Sequence, residues 1–265
     1  MKVNKTLYDL SDTTLIIPLR IDSMIRLENM LMSIRYILKH FKTNINVLQA
    51  AAYENGFVSR LLDKKVRYHF IEDYDTVFYR TKYLNIMTKE SDTPYVGIWD
   101  TDVVIPKEQI IDAIQKLRER YEIAYPYDGH FYDTTDIIRE QFWKTGNIQI
   151  LIKNQAKMGL IYGTHMKGGA MFVNREAYMK AGMENENFYG WGPEDFERYE
   201  RWKVLNLKIH QTNGALYHLT HSRSSNSSFR SLEQATNSNK EKFITTMSNK
   251  EELTYYKNWD LKAFR

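Results

Sequence analysis

Val96-Gly97-Ile98-Trp99-Asp100-Thr101-Asp102-Val103-Val104-Ile105-Pro106 is an apolar run, two carboxylates one residue apart, and a second apolar run. Short apolar runs of this kind read as buried strand, where acidic side chains are costly unless a positive partner meets them. Residues two apart on a strand share a face, so a strand running on through this stretch points Asp100 and Asp102 the same way. In open α/β sheets, ligands bind beyond the carboxyl ends of the strands. Carboxylate oxygens suit magnesium or manganese, ions that keep coordination positions for substrate phosphates. A bare Asp-x-Asp is more often a solvated turn closing a strand, so the rest of the chain has to decide.

On the N-terminal side, residues 13–18 (TTLIIP) are a β-rich apolar run closed by a proline and read as the first strand, with Leu19, Arg20 and Ile21 leaving its end. Asp22 or Ser23 then caps a helix over 24–40, where Leu27, Met30, Leu31, Ile34 and Ile37 recur at helical spacing. Residues 45–52 and 66–71 read as further strands with a short helical piece at 57–62 between them, and 79–90 as the helix leading into the Asp-Thr-Asp strand. Strand, helix, strand is the signal of a parallel sheet. Past Pro106, residues 107–121 form an amphipathic helix with Ile110, Ile111, Ile114 and Leu117 on one face.

The pattern weakens over 130–166, an aromatic stretch in which only 142–152 looks helical. It returns at Lys167-Gly168-Gly169-Ala170-Met171-Phe172-Val173-Asn174, where two glycines permit close backbone approach before a strand. A short helix over 175–181 follows. Pro193 suits the first turn of a helix reaching Leu205, with Glu194 and Asp195 at its positive N-terminal end. Residues 215–223 (ALYHLTHSR) are strand-like and set His218 and His221 three apart. The polar stretch 222–228 has almost nothing to bury and is expected to be a mobile lid.

With 265 residues and 43% hydrophobic content, the chain can bury a full core. The expected organisation is one domain over 1–225 and a flexible or helical extension over 226–265. No run of about 18 apolar residues is present and the N-terminus is polar, so neither a membrane span nor a signal peptide is expected. The absence of cysteine excludes disulfides and thiolate metal sites, fits a reducing cytosol, and leaves His, Asp and Glu as metal ligands. A net charge of +4 is no nucleic-acid signature but is compatible with anionic substrates. Nineteen Tyr, 12 Phe and 5 Trp supply stacking surface for sugars and bases as well as core.

Five motifs recur in order: Ile17-Pro18-Leu19-Arg20, Phe78-Tyr79-Arg80-Thr81-Lys82-Tyr83-Leu84-Asn85, and Asp100-Thr101-Asp102-Val103-Val104-Ile105-Pro106 come first. Lys167-Gly168-Gly169-Ala170 with Tyr189-Gly190-Trp191-Gly192-Pro193-Glu194-Asp195, and His218-Leu219-Thr220-His221-Ser222-Arg223, complete the series. Taken together they resemble the β-1,4-galactosyltransferases and related inverting glycosyltransferases of the GT-A fold. The resemblance implies an α/β chain with a single GT-A domain, a mostly parallel central sheet flanked by helices. It implies donor contacts from Pro18, Arg20, Phe78, Arg80, Lys82, Asp100, Gly168, Gly169 and Trp191, and a manganese (or magnesium) ion on Asp102, His218 and His221. In the catalytic pair, Asp195 takes the proton of the acceptor hydroxyl and Glu194 orients the acceptor.

The implied function is metal-dependent, inverting transfer of a hexose or N-acetylhexosamine from a UDP-sugar to a glycan or lipid-linked sugar acceptor. Surface polysaccharide synthesis, in the cytoplasm with peripheral contact at the inner face of the membrane, is the implied setting, with no nucleic-acid partner. The motifs also depart from the family. Pro193 and Phe196 replace a glycine and an acidic residue, His218 replaces a methionine ligand, and Met166 stands where the galactosyl enzymes carry an aromatic.

Each signal has a plainer alternative, since a His-x-x-His pair is usually surface or core histidine and Glu194-Asp195 alone suits a helix dipole. A retaining glycosyltransferase shares the Asp-x-Asp sheet but needs no carboxylate pair at a helix start. A nucleotidyltransferase would release pyrophosphate. A nucleotide-sugar-binding protein would bind UDP without turnover.

Overall fold

Strands buried on both faces have to be covered by helices, and this chain supplies them alternately. The computed structural model describes residues 6–161, 163–190 and 192–222. The elements run β1 (Tyr8–Leu19), α1 (Met24–His40), β2 (Phe41–Ala51), α2 (Phe57–Leu61), β3 (Val66–Glu72), α3 (Arg80–Lys89) and β4 (Tyr95–Trp99). Then come β5 (Val103–Val104), α4 (Lys107–Arg118), β6 (Ile123–Tyr125), β7 (Phe131–Asp133), α5 (Asp136–Thr145), α6 (Ile148–Lys153) and β8 (Gly159–Leu160). The described chain ends with β9 (Ala170–Asn174), α7 (Arg175–Lys180), α8 (Glu194–Val204), β10 (Ile209–Gln211) and β11 (Leu216–His218). The expected extension over 226–265 lies outside the described residues, as does the expected lid beyond Ser222.

The central sheet has the order β10-β6-β9-β4-β1-β2-β3. Its pairs are parallel except where β9 runs against β4 and β6. The first βαβ unit lays β2 on one side of β1, while β4 takes the other side. Their carboxyl ends therefore flank a topological switch point, where open α/β sheets bind ligands.

β4 stops at Trp99, so Asp100 and Asp102 do not share one strand face. The N–H of Asp100 donates to the Gly169 carbonyl at 2.8 Å and residues 100–102 turn away. The chain then enters a second sheet, ordered β5-β11-β7-β8, where the N–H of Leu219 donates to the Asp102 carbonyl at 2.7 Å. Two buried polar residues of α1 brace this corner: Asn29 donates to the Leu219 carbonyl at 2.7 Å and Ser33 to the Val103 carbonyl at 2.8 Å.

The weakly patterned stretch holds two helices in place of the one expected over 142–152. Thr135 caps α5, accepting from the N–H of Ile138, and Gly146 ends it at a positive φ of 58°. Asn147 then caps α6.

Candidate active site

The cleft at the switch point is formed by residues that leave strand ends. Pro18 lies near the end of β1 and Arg20 follows it, Asp100 and Asp102 follow β4, Gly168 and Gly169 precede β9, and His218 and His221 end and follow β11; all of them line it. Phe78 just before α3, Arg80 at its start and Asp195 on α8 complete it.

Asp102, 7% exposed, faces both imidazoles. His221 Nε2 lies 3.0 Å from its Oδ2 and His218 Nε2 lies 3.6 Å from its Oδ1. The ligand atoms of these three residues lie within 4.8 Å of one another. The far nitrogens of both rings are anchored. His221 Nδ1 lies 2.9 Å from the Ser222 carbonyl, which can only accept, so Nδ1 carries a hydrogen. His218 Nδ1 lies 2.8 Å from Asp133 Oδ1. Metal-binding histidines are held in this way, by an outer carboxylate or carbonyl.

Burial pushes the Asp102 carboxyl up, but the imidazoles, His218 foremost, outweigh it and hold the group well below the usual carboxylate range. Burial lowers the His218 imidazole, and Asp102 and then Asp133 overcome this and raise it to about 10. A proton on Nε2 thus sits where a divalent ion would sit. This donor set fits a hard-to-borderline cation such as manganese or magnesium.

At the other end, Glu194 and Asp195 open α8. Asp195 Oδ1 accepts from Arg198 Nη2 at 2.7 Å, and Arg80 Nη1 stands 3.8 Å from both carboxylates. Arg80 also donates to Asp100 Oδ1 at 2.7 Å, so it links the Asp-Thr-Asp turn to the acidic pair. Burial, then the charge of Asp195, pushes the Glu194 carboxyl up to about 8. Burial acts on Asp195 too, but Arg198 and then Arg80 hold it below its ordinary value. Near neutral pH the pair is one acid and one carboxylate, which is the separation that acid–base chemistry needs.

Gly168 is required by approach: a Cβ there would lie 2.4 Å from Asp195 Oδ2. Gly169 is required by its φ of +83° and by Phe131, 2.6 Å from where a Cβ would be.

The expected donor contacts divide. Arg20 reaches the cleft, but three of its N–H groups already hold the Ala50 carbonyl, the Asp75 carbonyl and Asp73 Oδ2, at 2.9, 2.6 and 2.8 Å. Its guanidinium lies over the Phe78 ring. Lys82 is a correction, because two residues along α3 is more than half a helical turn from Arg80 and its side chain is exposed outside the cleft. Glu194 is 5% exposed and lies behind the cleft wall. Trp191 and Arg223 lie outside the described residues. Asp133, Glu184 and Arg198 were not singled out from the sequence. Arg198 had a signal, since it lies three residues from Asp195 on a helix, whereas Asp133 and Glu184 meet their partners only through the fold.

Residues 154–224, which carry the glycine pair, the acidic pair and both histidines, match the family described as the N-terminal domain of galactosyltransferase. The chain has the fold of a GT-A galactosyltransferase catalytic domain. It resembles the catalytic domain of Drosophila β1,4-galactosyltransferase 7 in complex with xylobiose, at 14% identity and a TM-score of 0.56. The match covers 92% of this chain and 83% of that one. A mutant of the same Drosophila enzyme, in complex with manganese, UDP-Gal and xylobiose, matches with the same identity and TM-score over 88% of this chain and 79% of its own. At that identity the likeness is one of fold. No curated protein matches in sequence. Among the described residues no helix is long and apolar enough to cross a membrane.

Proposed function

We propose that the chain transfers a sugar from a UDP-sugar to a sugar hydroxyl with inversion at the anomeric carbon, and that it requires a divalent metal. The observation that carries this reading is one cleft at the switch point holding the Asp102–His218–His221 cluster and the Asp195 carboxylate, with Arg80 between them. Manganese, which the Drosophila neighbour binds together with UDP-Gal, suits the cluster. Bound there it would act as a Lewis acid on the leaving diphosphate. Arg80 Nη1 is buried and makes no hydrogen bond, which leaves it free to donate to a phosphate oxygen. Asp195 accepts the proton of the attacking hydroxyl as the new C–O bond forms and the bond to the diphosphate breaks. Glu194, buried behind the cleft wall, faces Arg80 at 3.8 Å, and we assign it to orienting the acceptor through Arg80 and Asp195. The acceptor class is a glycan or lipid-linked sugar, in keeping with xylobiose in the neighbours.

Inversion is supported by the carboxylates at hand. Among the described residues, those lining the cleft are Asp100, Asp102 and Asp195. The first two face Arg80 and the histidines, and the described residues of 130–166 contribute Phe131, Ile161 and Met166 to the wall. With no separate nucleophile among the described residues of the cleft, a direct displacement turns an α-linked donor into a β-linked product.

The test is a screen of UDP-galactose, UDP-N-acetylgalactosamine, UDP-N-acetylglucosamine and UDP-glucose by thermal shift and UDP release, with and without manganese. Xylobiose is the first acceptor to try, and the anomeric proton coupling of the product is read by NMR. Undiminished UDP affinity in excess chelator refutes the metal requirement, and an α product refutes inversion.

A further inference from the structure

The inward face of α8 carries charge where hydrocarbon would be expected: Glu194, Glu197, Arg198 and Arg201 are all buried. Glu197 and Arg201 pair with each other, and Arg201 also holds the Met183 carbonyl at 2.7 Å, a local brace for the preceding loop. Arg198 has a different arrangement. Its side chain is 1% exposed, Nη1 binds both oxygens of the equally buried Glu184 at 2.7 and 2.8 Å, and Nη2 binds Asp195 Oδ1. The guanidinium lies over the Trp202 ring, and Glu184 also accepts from the Tyr178 hydroxyl.

We infer that Arg198, backed by Glu184, is the positioning residue for Asp195, taking Oδ1 and leaving Oδ2 turned to the cleft beside Gly168. The inference rests on Asp195 being the base of the proposed reaction. A buried ion pair is poor evidence of a stability role, because hydrocarbon of the same volume usually serves as well or better. What a guanidinium fork supplies is orientation: it is planar, always charged, and fixes the rotation of a carboxylate as well as its place. The i, i+3 spacing puts Arg198 and Asp195 on one face of α8, and Glu184 holds the fork from the other side. The groups facing Asp195 are Arg198 and Glu194 on α8, Arg80 on α3, Asp100 after β4, Tyr125 on β6, Tyr127 just beyond it, and Glu184 behind Arg198. Of these side chains the two arginines favour the ionised carboxylate, and Arg198 is the nearer, at 2.7 against 3.8 Å.

The test uses the full chain carrying Glu184→Gln together with Arg198→Met. Removing both charges avoids the lone buried charge that a single truncation leaves. Arg198→Lys is the second variant, since one ammonium keeps the charge but cannot span two carboxylates. Carboxyl-carbon NMR reads the titration midpoint of Asp195, and UDP release from UDP-galactose with xylobiose reads kcat and kcat/KM across pH. In the paired variant the midpoint rises by about one pH unit or more, the acid limb of kcat/KM moves with it, and kcat falls about 10- to 100-fold. Stabilisation by UDP with manganese stays as in the parent. Arg198→Lys recovers the midpoint but only part of kcat, and in an Asp195→Asn background the paired change costs nothing more.

An unmoved midpoint, or a loss that adds in full to that of Asp195→Asn, overturns the inference. If Asp195→Asn alone transfers at the parent rate, the base assignment fails instead, and the NMR midpoint still decides whether Arg198 governs the carboxylate. Should the paired variant not fold, Arg198→Lys carries the test through its kcat and its non-additivity with Asp195→Asn.

Discussion

Gly168→Ala tests the base directly without touching a polar group. A Cβ at Gly168 would lie 2.4 Å from Asp195 Oδ2 and 3.2 Å from its Cγ, whereas ordinary contact begins at 3.4 Å. Neither partner yields easily: the Gly168 carbonyl accepts from the Tyr127 hydroxyl at 2.6 Å, and Asp195 Oδ1 is held by Arg198 at 2.7 Å. The carboxylate therefore has to retreat by about 1 Å, a displacement that costs on the order of 100-fold in rate when it falls on a catalytic group. Gly168, unlike Gly169, has no positive φ, so alanine takes up its backbone without strain and any fall in melting temperature reflects the displaced carboxylate alone. Steady-state UDP release gives kcat and the donor KM separately. The expected result is a loss of about 100-fold in kcat with a much smaller change in KM. A Gly168→Ala protein whose kcat stays within about twofold of the parent would refute the placement of Asp195 as base.

Asp195→Asn lowers turnover by roughly 100-fold or more while leaving thermal stabilisation by UDP and manganese intact, and near-parental transfer removes Asp195 from the mechanism. Asp133→Asn deprives His218 Nδ1 of its anionic partner and lowers manganese affinity about 10- to 100-fold by calorimetric titration; equal affinity shows that the contact does not support the ion. Manganese affinity rises with pH, because His218 has to give up its Nε2 proton to bind the ion, and a flat profile from pH 6 to 9 contradicts this. Glu194 keeps its proton to about 8 when folded against an ordinary value of 4.5, so the unfolded chain binds fewer protons in that window and stability declines as pH rises through it. Glu194→Gln abolishes that decline, and melting temperatures that fall in parallel for both proteins between pH 5 and 8 exclude it.

The amino-acid sequence by itself determined what depends on neighbours along the chain. The 3.6-residue spacing of Leu27, Met30, Ile34 and Ile37 defines α1 to its observed ends, and the β-branched runs around Ile16, Val47 and Ile98 are the strands they read as. The Thr135 cap and the Gly146 stop were legible as well, had they been weighed over the thin apolar pattern between them. The grouping of Asp102, His218 and His221 followed from the resemblance of the ordered motifs, and the absence of cysteine agrees with it. Tertiary structure alone decided which groups meet. Asp133 stands behind His218 because β7 and β11 pair in a register that sets those two residues side by side, 85 positions apart in the chain. Arg20 and Arg80 were indistinguishable as sequence, yet most contacts of one are made to the loop after β3 while the other keeps a buried nitrogen free. Lys82 looked like Arg80 until the helix turned it outward. Periodicity is a local property that secondary structure reads directly, whereas a site is made where distant segments converge, and that convergence is set by sheet order and register.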